Sequence, residues 1–207
     1  MSTVRLLVLG VVRMRGAAHG YAVHRELTSW RVDTWTSVKP PSIYHAVKQL
    51  AREGLLVDAG RTEASRGPAR LAYRVTAAGE QEFYRLLEAA LLSPDIEEFG
   101  AGIAFMRFLP RRRVVELLEA QLGVTRTIGD QLQDMKTQWP DADEPPHAQH
   151  LLDLWRGSFA ATSDWTAQML ARIAGGQFTF DDDGDGDGEA RPDQDQIAGS
   201  DRRPGIT

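Results

Sequence analysis

The chain has no cysteine among its 207 residues. That excludes disulfides, thiolate metal centres and cysteine nucleophiles, and it fits a reducing interior. Long apolar runs are missing too: nothing reaches the roughly eighteen uninterrupted apolar residues of a membrane span, so no membrane partner is expected and a cytoplasmic location is. The opening MSTVRLLVLGVVRMRG has arginines inside and after its apolar run but no basic leader and no small-residue cleavage site, and reads as a helix. The marks of an enzyme are absent as well. There is no phosphate-cradling glycine loop, no nucleophile elbow and no cluster of carboxylates with histidine, so neither catalysis nor a cofactor is expected. His147 and His150 are three apart, but no further ligands complete a metal site. The run DDDGDGDGE at 181–189 lacks the glutamate at position twelve and the flanking helices of a calcium loop.

What the chain does have is an apolar fraction of 42%, enough for a core, and a charge that is unevenly spread. The net charge of -5 conceals 13 Lys+Arg against 8 Asp+Glu in residues 1–92, and 11 against 21 in the remainder. A basic first half attracts a polyanion and an acidic remainder avoids it, the asymmetry expected of a nucleic-acid module joined to another part.

The hydrophobic pattern gives the order of elements. Leu6, Leu7, Leu9, Val11 and Val12 cover most of the circumference of a helix over Val4–Met14, which predicts a central, buried position. A second helix spans Tyr21–Trp30. A third, Pro41–Glu53, places Ile43, Val47 and Leu50 on one face and Ser42, Tyr44, His45, Lys48, Gln49 and Arg52 on or near the other, with Gly54 as its C-terminal stop. Leu55–Ala59 and Leu71–Val75 read as two strands around a loop carrying Arg61, Arg66 and Arg70, which is a wing. Thr76 then N-caps a helix that Ser93-Pro94 ends.

Residues 95–175 read as helical, with breaks at Leu109-Pro110 and Trp139–Pro146. Two stripes, from Val114 through Leu118, Leu122, Thr125 and Met135 to Trp139, and from Ala148 through Leu152, Trp155, Phe159, Thr166 and Met169 to Ile173, approach a coiled-coil seam and need a partner surface, in the same chain or another. After Gly175 the composition falls to Gly, Asp, Gln and Arg, which predicts a disordered acidic tail. The expected architecture is mainly α: a winged helix-turn-helix with a two-stranded β wing over 1–92, a helical dimerisation or effector region over 93–175, and a tail over 176–207.

Three short helices and a wing form a device for reading double-stranded DNA. A helix fits the major groove, where polar side chains reach base edges while lysines, arginines and hydroxyls hold phosphates. The candidate DNA-binding residues are Ser42, Tyr44, His45, Lys48, Gln49 and Arg52 on the helix, and Arg66 and Arg70 on the wing, where arginine suits the narrow minor groove. Tyr21 and Tyr73 are assigned to closing the small core. Trp155, Phe159 and Trp165 are candidates for a pocket taking a small aromatic effector, or for core packing at a seam. Arg111–Arg113 either touch DNA or decorate a helix start.

These residues resemble the PadR-type transcriptional regulators over about 4–92. His19-Gly20-Tyr21 opens the second helix, Ser42-Ile43-Tyr44 the recognition helix, and Glu53-Gly54-Leu55 closes it. Arg70, Tyr73, Thr76 and Gly79 match the return strand and following helix. The sequence departs from the family at Pro41, where glycine is common, and at His45, where proline is. The resemblance implies a homodimer held by the C-terminal helices and the first helix, acting as a repressor that a small molecule releases. An activator uses the same fold, and a protein-interaction module on a winged scaffold is the competing reading.

Overall fold

A computed structural model describes residues 3–62, 70–138 and 147–185. The chain is mainly helical with one small antiparallel sheet. Helix α1 (Thr3–Met14) is buried at every residue from Leu6 to Val12, so it is the central rod that its unbroken apolar run predicts. Around it lie α2 (Gly20–Ser29), α3 (Val32–Trp35), α4 (Pro40–Arg52), the wing strands β1 (Leu56–Thr62) and β2 (Arg70–Val75), and α5 (Ala77–Leu91). The sequence pattern did not announce α3. Four residues with one buried side chain, Val32, carry no readable period.

Local chemistry sets the ends. Gly54, at φ +74°, ends α4 in the left-handed conformation that a side chain resists. Thr76 caps α5 by accepting from the Gly79 N–H at 3.0 Å, and its hydroxyl donates to the Gly54 carbonyl at 2.8 Å, tying the start of α5 to the end of α4. The wing pairs Leu56 with Val75 and Thr62 with Arg70, with a bulge between Asp58 and Arg61. On its other side β2 exchanges two 2.9 Å backbone bonds with Ala18, so the wing root is bound to the link between α1 and α2.

Residues 92–95 link α5 to the next helix. Helix α6 (Ile96–Phe105) starts at the Asp95 cap and packs on α1 and α5, and its Phe105 is buried among Trp30, Phe83 and Phe108. A single 3-10 turn, Met106–Phe108, and Pro110 lead into α7 (Arg111–Gln138), which runs antiparallel to α8 (Ala148–Ala174). Arg113 clamps α7 to α5 by a two-pronged bond to Glu88, at 2.6 and 3.0 Å. Lys136 reaches both oxygens of Asp153 at 2.7 Å near the far end of the α7–α8 pair.

The second predicted stripe faces inward at Ala148, Leu152, Thr166, Met169 and Ile173, with Ser163 buried beside them, and requires correction at Trp155, which is turned outward. Leu151, Leu154 and Trp155 make a second apolar stripe on the same helix, and periodicity alone does not say which stripe meets α7. The tail also requires correction at its start. Phe180 is buried, and a second 3-10 turn at Asp181–Asp185 lies against α7. Two aromatic residues at 178 and 180 supply apolar area that the composition of the whole segment conceals. Residues 186–207, with the rest of the DDDGDGDGE run, lie outside the described residues.

Candidate nucleic-acid interface

Helix α4 buries Ile43, Ala46, Val47 and Leu50 against the core, and this fixes what its other face presents. Tyr44, His45, Lys48 and Arg52 are exposed on that face. Neither Lys48 nor Arg52 forms an ion pair among the described residues. The arginines of α1 and the one just past its end are engaged: Arg5 grips Glu53 at 3.0 and 2.6 Å, Arg13 meets Glu80 at 2.8 Å and Arg15 meets Glu26 at 2.7 Å. Lys48 and Arg52 thus stand on the α4 face without a counter-charge among the described residues, which phosphates would supply.

Two residues assigned to that face have other work. The Ser42 hydroxyl donates to the Lys39 carbonyl at 2.6 Å and accepts from the Lys39 N–H at 3.2 Å, closing the first turn of α4. Gln49 donates to Glu53 at 2.8 Å, and Arg5 with Gln49 holds the Glu53 carboxyl below the usual carboxylate range. Both remain beside the interface, yet their polar groups maintain the helix rather than facing a ligand. Arg66 lies outside the described residues, and Arg70 is placed only as the backbone residue that opens β2.

The structure adds a residue the sequence reading put in the core. Tyr21 is 48% exposed and stands at the start of α2, its ring stacked at 6.2 Å on His19. With Tyr44, Lys48, Leu71 and Tyr73 it lines a groove of about 330 Å³ between α2, α4 and β2. Gly20 forms the floor: a Cβ there would come within 3.0 Å of the Tyr44 ring, so the missing side chain lets that ring lie against α2. His24 flanks the same ring at 5.9 Å. The signal for Tyr21 was its place one residue past the start of a helix, where a side chain projects past the helix end. Tyr73 keeps its structural role: it is half-buried against the core, and its backbone pairs with Ala18.

The expected aromatic trio is split. Trp165 lines a cavity of about 460 Å³ with Trp35, Phe99, Ile103, Ala161 and Thr162, between α3, α6 and α8. Phe99 meets Trp165 edge-to-face at 5.7 Å. No charged side chain lines the space, and both the Trp35 N–H and the Thr162 hydroxyl are bonded to backbone carbonyls. Trp155 and Phe159 are not in it. They lie further along α8, and Trp155 is 50% exposed. Arg111 and Arg113 are not candidates for DNA either, being bonded to Asp183 and Glu88. His147 and His150 stack at 6.0 Å, and no group of three or more metal-binding side chains occurs among the described residues. No helix among them is long and apolar enough to cross a membrane.

The model of the PadR-like transcriptional regulator family matches residues 8–85, which run from α1 through the groove and wing into α5. Over that span the chain is similar to the PadR-like family. This is a family of transcriptional regulators, not of enzymes. Among solved structures the chain is similar to Bacillus subtilis PadR in complex with operator DNA, at 23% identity over 83% of this chain and 99% of that one, with a TM-score of 0.39. It is also similar to Bacillus subtilis PadR in complex with p-coumaric acid, at 21% identity over 84% and 99%, TM-score 0.35. The PadR-like regulator BC1756 from Bacillus cereus matches at 16% identity over 84% and 99%, TM-score 0.33. Among curated proteins no match is found.

The PadR-like motif residues mostly build the frame. His19 caps α2 through Nδ1, which accepts from the Ala22 N–H at 2.9 Å. Glu53 anchors Arg5, Gly54 ends α4 and Thr76 starts α5. Of the motif side chains, Tyr21 and Tyr44 are the ones left exposed at the groove.

Proposed function

We propose that this PadR-like chain is a sequence-specific, double-stranded-DNA-binding transcriptional regulator that works as a homodimer on a pseudo-palindromic operator in the cytoplasm. The observation that carries the reading is the exposed face of α4, where Tyr44, His45, Lys48 and Arg52 stand clear of the core and both cations lack a partner among the described residues. Lys48 and Arg52 hold phosphates, Tyr44 and Tyr21 donate hydroxyls to the backbone of the same strand, and His45 reaches a base edge. Arg66 and Arg70 extend the contact from the wing.

The second copy follows from α8. Leu151, Leu154 and Trp155 lie at helical spacing on its outer side, and burying such a stripe against its own symmetry mate sets two α4 helices a fixed distance apart. That division of labour assigns 1–92 to DNA and 93–175 to assembly. The cavity around Trp35 and Trp165 is the effector site, and its aromatic, uncharged lining suits a small planar molecule. Trp35 lies four residues before Lys39, the cap of α4, so a ligand there bears on the recognition helix and releases a repressor.

Gel-shift and sedimentation measurements with the DNA upstream of the chain's own gene test this. A dimer giving a discrete complex that resists competitor DNA supports the regulator. A monomer, or a complex indifferent to sequence, favours the protein-interaction module, for which the apolar stripe on α8 is the specific observation. Titration with planar aromatics read by tryptophan fluorescence tests the cavity, where Trp165→Ala abolishes the response if the assignment is right and preserves it if not.

A further inference from the structure

The cavity between α3, α6 and α8 has aromatic walls and little that could hold a negative charge. Trp35, Phe99 and Trp165 supply rings whose faces carry partial negative charge. The Trp35 N–H and the Thr162 hydroxyl donate to the Trp30 and Ser158 carbonyls at 3.2 and 3.1 Å, so the Trp165 N–H is the one lining side-chain donor without an acceptor among the described residues. No lysine, arginine or histidine lines the space. An anion entering it would exchange its water for at most one neutral side-chain donor, which does not offset the cost of desolvation.

The charges around the cavity are of one sign. Of the residues next in sequence to a lining residue, the charged ones are Asp95, Glu97, Glu98 and Asp164. Asp95 is occupied in capping α6, where it accepts from the Glu97 and Glu98 N–H groups at 3.0 and 2.9 Å, and Glu98 accepts from the Ser93 hydroxyl at 2.8 Å. Glu97 is placed differently. It follows Ile96, which lines the cavity on α6, and its Oε2 accepts from the N–H and the hydroxyl of Ser37 at 2.8 and 2.9 Å, two residues past Trp35, which lines it on α3. Both walls therefore bring this carboxylate to the edge of the cavity, on the side where the chain runs from α3 into α4. Ser37 holds Oε2, while Oε1 has no hydrogen-bond partner and Glu97 no ion pair among the described residues.

We propose that the cavity takes a planar aromatic cation, its rings between Trp35, Phe99 and Trp165 and its positive group on the Glu97 carboxylate, which Ser37 holds in place. Such a ligand uses both features of the site, the rings through apolar and cation–π contact and the carboxylate through a charge-assisted hydrogen bond. The inference rests on the reading of this cavity as the effector site given above, and adds that the site selects by charge through Glu97. Because Ser37 stands two residues before Lys39, the cap of α4, the same carboxylate joins the ligand to the start of that helix.

Three ligands with one ring system and different charge test it: naphthylmethylammonium, naphthylmethanol and naphthoate, titrated by calorimetry into full-length wild type, Glu97→Gln, Asp164→Asn and Trp165→Ala. No DNA is present, so the outcome does not depend on an operator. The ammonium is expected to bind about tenfold tighter than the alcohol, and the naphthoate more weakly than either. Glu97→Gln keeps an acceptor for Ser37 and loses the charge, so it should bring the ammonium down to the affinity of the alcohol and leave the alcohol unchanged, whereas Asp164→Asn should shift neither by more than about twofold. Trp165→Ala should weaken binding of all the ligands. Naphthoate binding as tight as that of the ammonium, an ammonium preference that survives Glu97→Gln, or one lost equally in Asp164→Asn would overturn charge selection by Glu97 while the effector cavity stands. Binding of none of the three, or binding that Trp165→Ala leaves intact, would remove the effector cavity and this inference with it.

Discussion

Side chains of the same polar character on α4 do different jobs, and the difference is what they are bonded to. Lys48 and Arg52 are exposed without a partner among the described residues, whereas Ser42 closes a helix turn and Gln49 is spent on Glu53. Lys48→Ala is expected to weaken DNA binding for all sequences alike and to make the slope of log affinity against log salt shallower by about one. Ser42→Ala is expected to leave that slope alone and to lower unfolding stability by about 0.5–1 kcal/mol, as loss of a helix-start hydroxyl does. Salt-series binding and denaturant unfolding on the two variants separate these outcomes, and a shallower slope in Ser42→Ala would put its hydroxyl back on DNA. The helical period put both residues on the outer face. It could not tell which polar groups were already satisfied, because those bonds run to Lys39 and Glu53 in ways the period does not encode. Tyr21 shows the converse: its position suggested closure of the small core, but its place at the helix start projects it into the groove.

Elements with strong local signals were legible, and those defined by long-range contact were not. The apolar run of α1, the prolines at the start of α4, the glycine at its end and the Thr76 cap each sit within a residue or two of where the sequence puts them. The inward face of α8 was read at Ala148, Leu152, Thr166, Met169 and Ile173 and misread at Trp155, because the helix carries a second apolar stripe, and the fold-back of residues 177–183 was not read because its anchor, Arg111, is up to 72 residues distant in sequence. The α7–α8 contact contains a buried polar group of Gln121, Thr125, Ser163 and Thr166. Ser163 donates to Thr125 at 2.9 Å and Thr166 to Gln121 at 3.0 Å, while the Gln121 Nε2 donor has no partner among the described residues. A buried amide left half-used is a liability, and Thr166 retains its bond to the Thr162 carbonyl without it. Gln121→Leu is therefore expected to leave the thermal midpoint unchanged or raise it. A loss of more than about 2 kcal/mol would mean that the amide has a partner, such as a second copy of the chain.

At the scale of the whole molecule, ion pairs join the parts: Arg5–Glu53 ties α1 to α4, Arg113–Glu88 ties α7 to α5, and Arg111–Asp183 holds the segment after α8 to the start of α7. Arg5 holds Glu53 below the usual carboxylate range, Arg113 does so for Glu88, Lys136 for Asp153 and Arg111 for Asp183. A carboxylate with a depressed folded pKa contributes stability that is present above its unfolded value of about 4 and is lost as pH falls through the folded one. The thermal midpoint should stay nearly level from neutral pH to about 5 and drop below about 4; a midpoint unchanged down to about pH 3 would show that these pairs contribute nothing. The central claim is that the exposed α4 face binds duplex DNA electrostatically and by sequence. Its most direct test is fluorescence anisotropy of wild type and the Lys48→Ala, Arg52→Ala double variant on the upstream fragment and a scrambled duplex, across a salt series. A steep salt slope with preference for the fragment, and a slope shallower by about two in the variant, is the predicted result. Equal affinity of both proteins for both duplexes would contradict it.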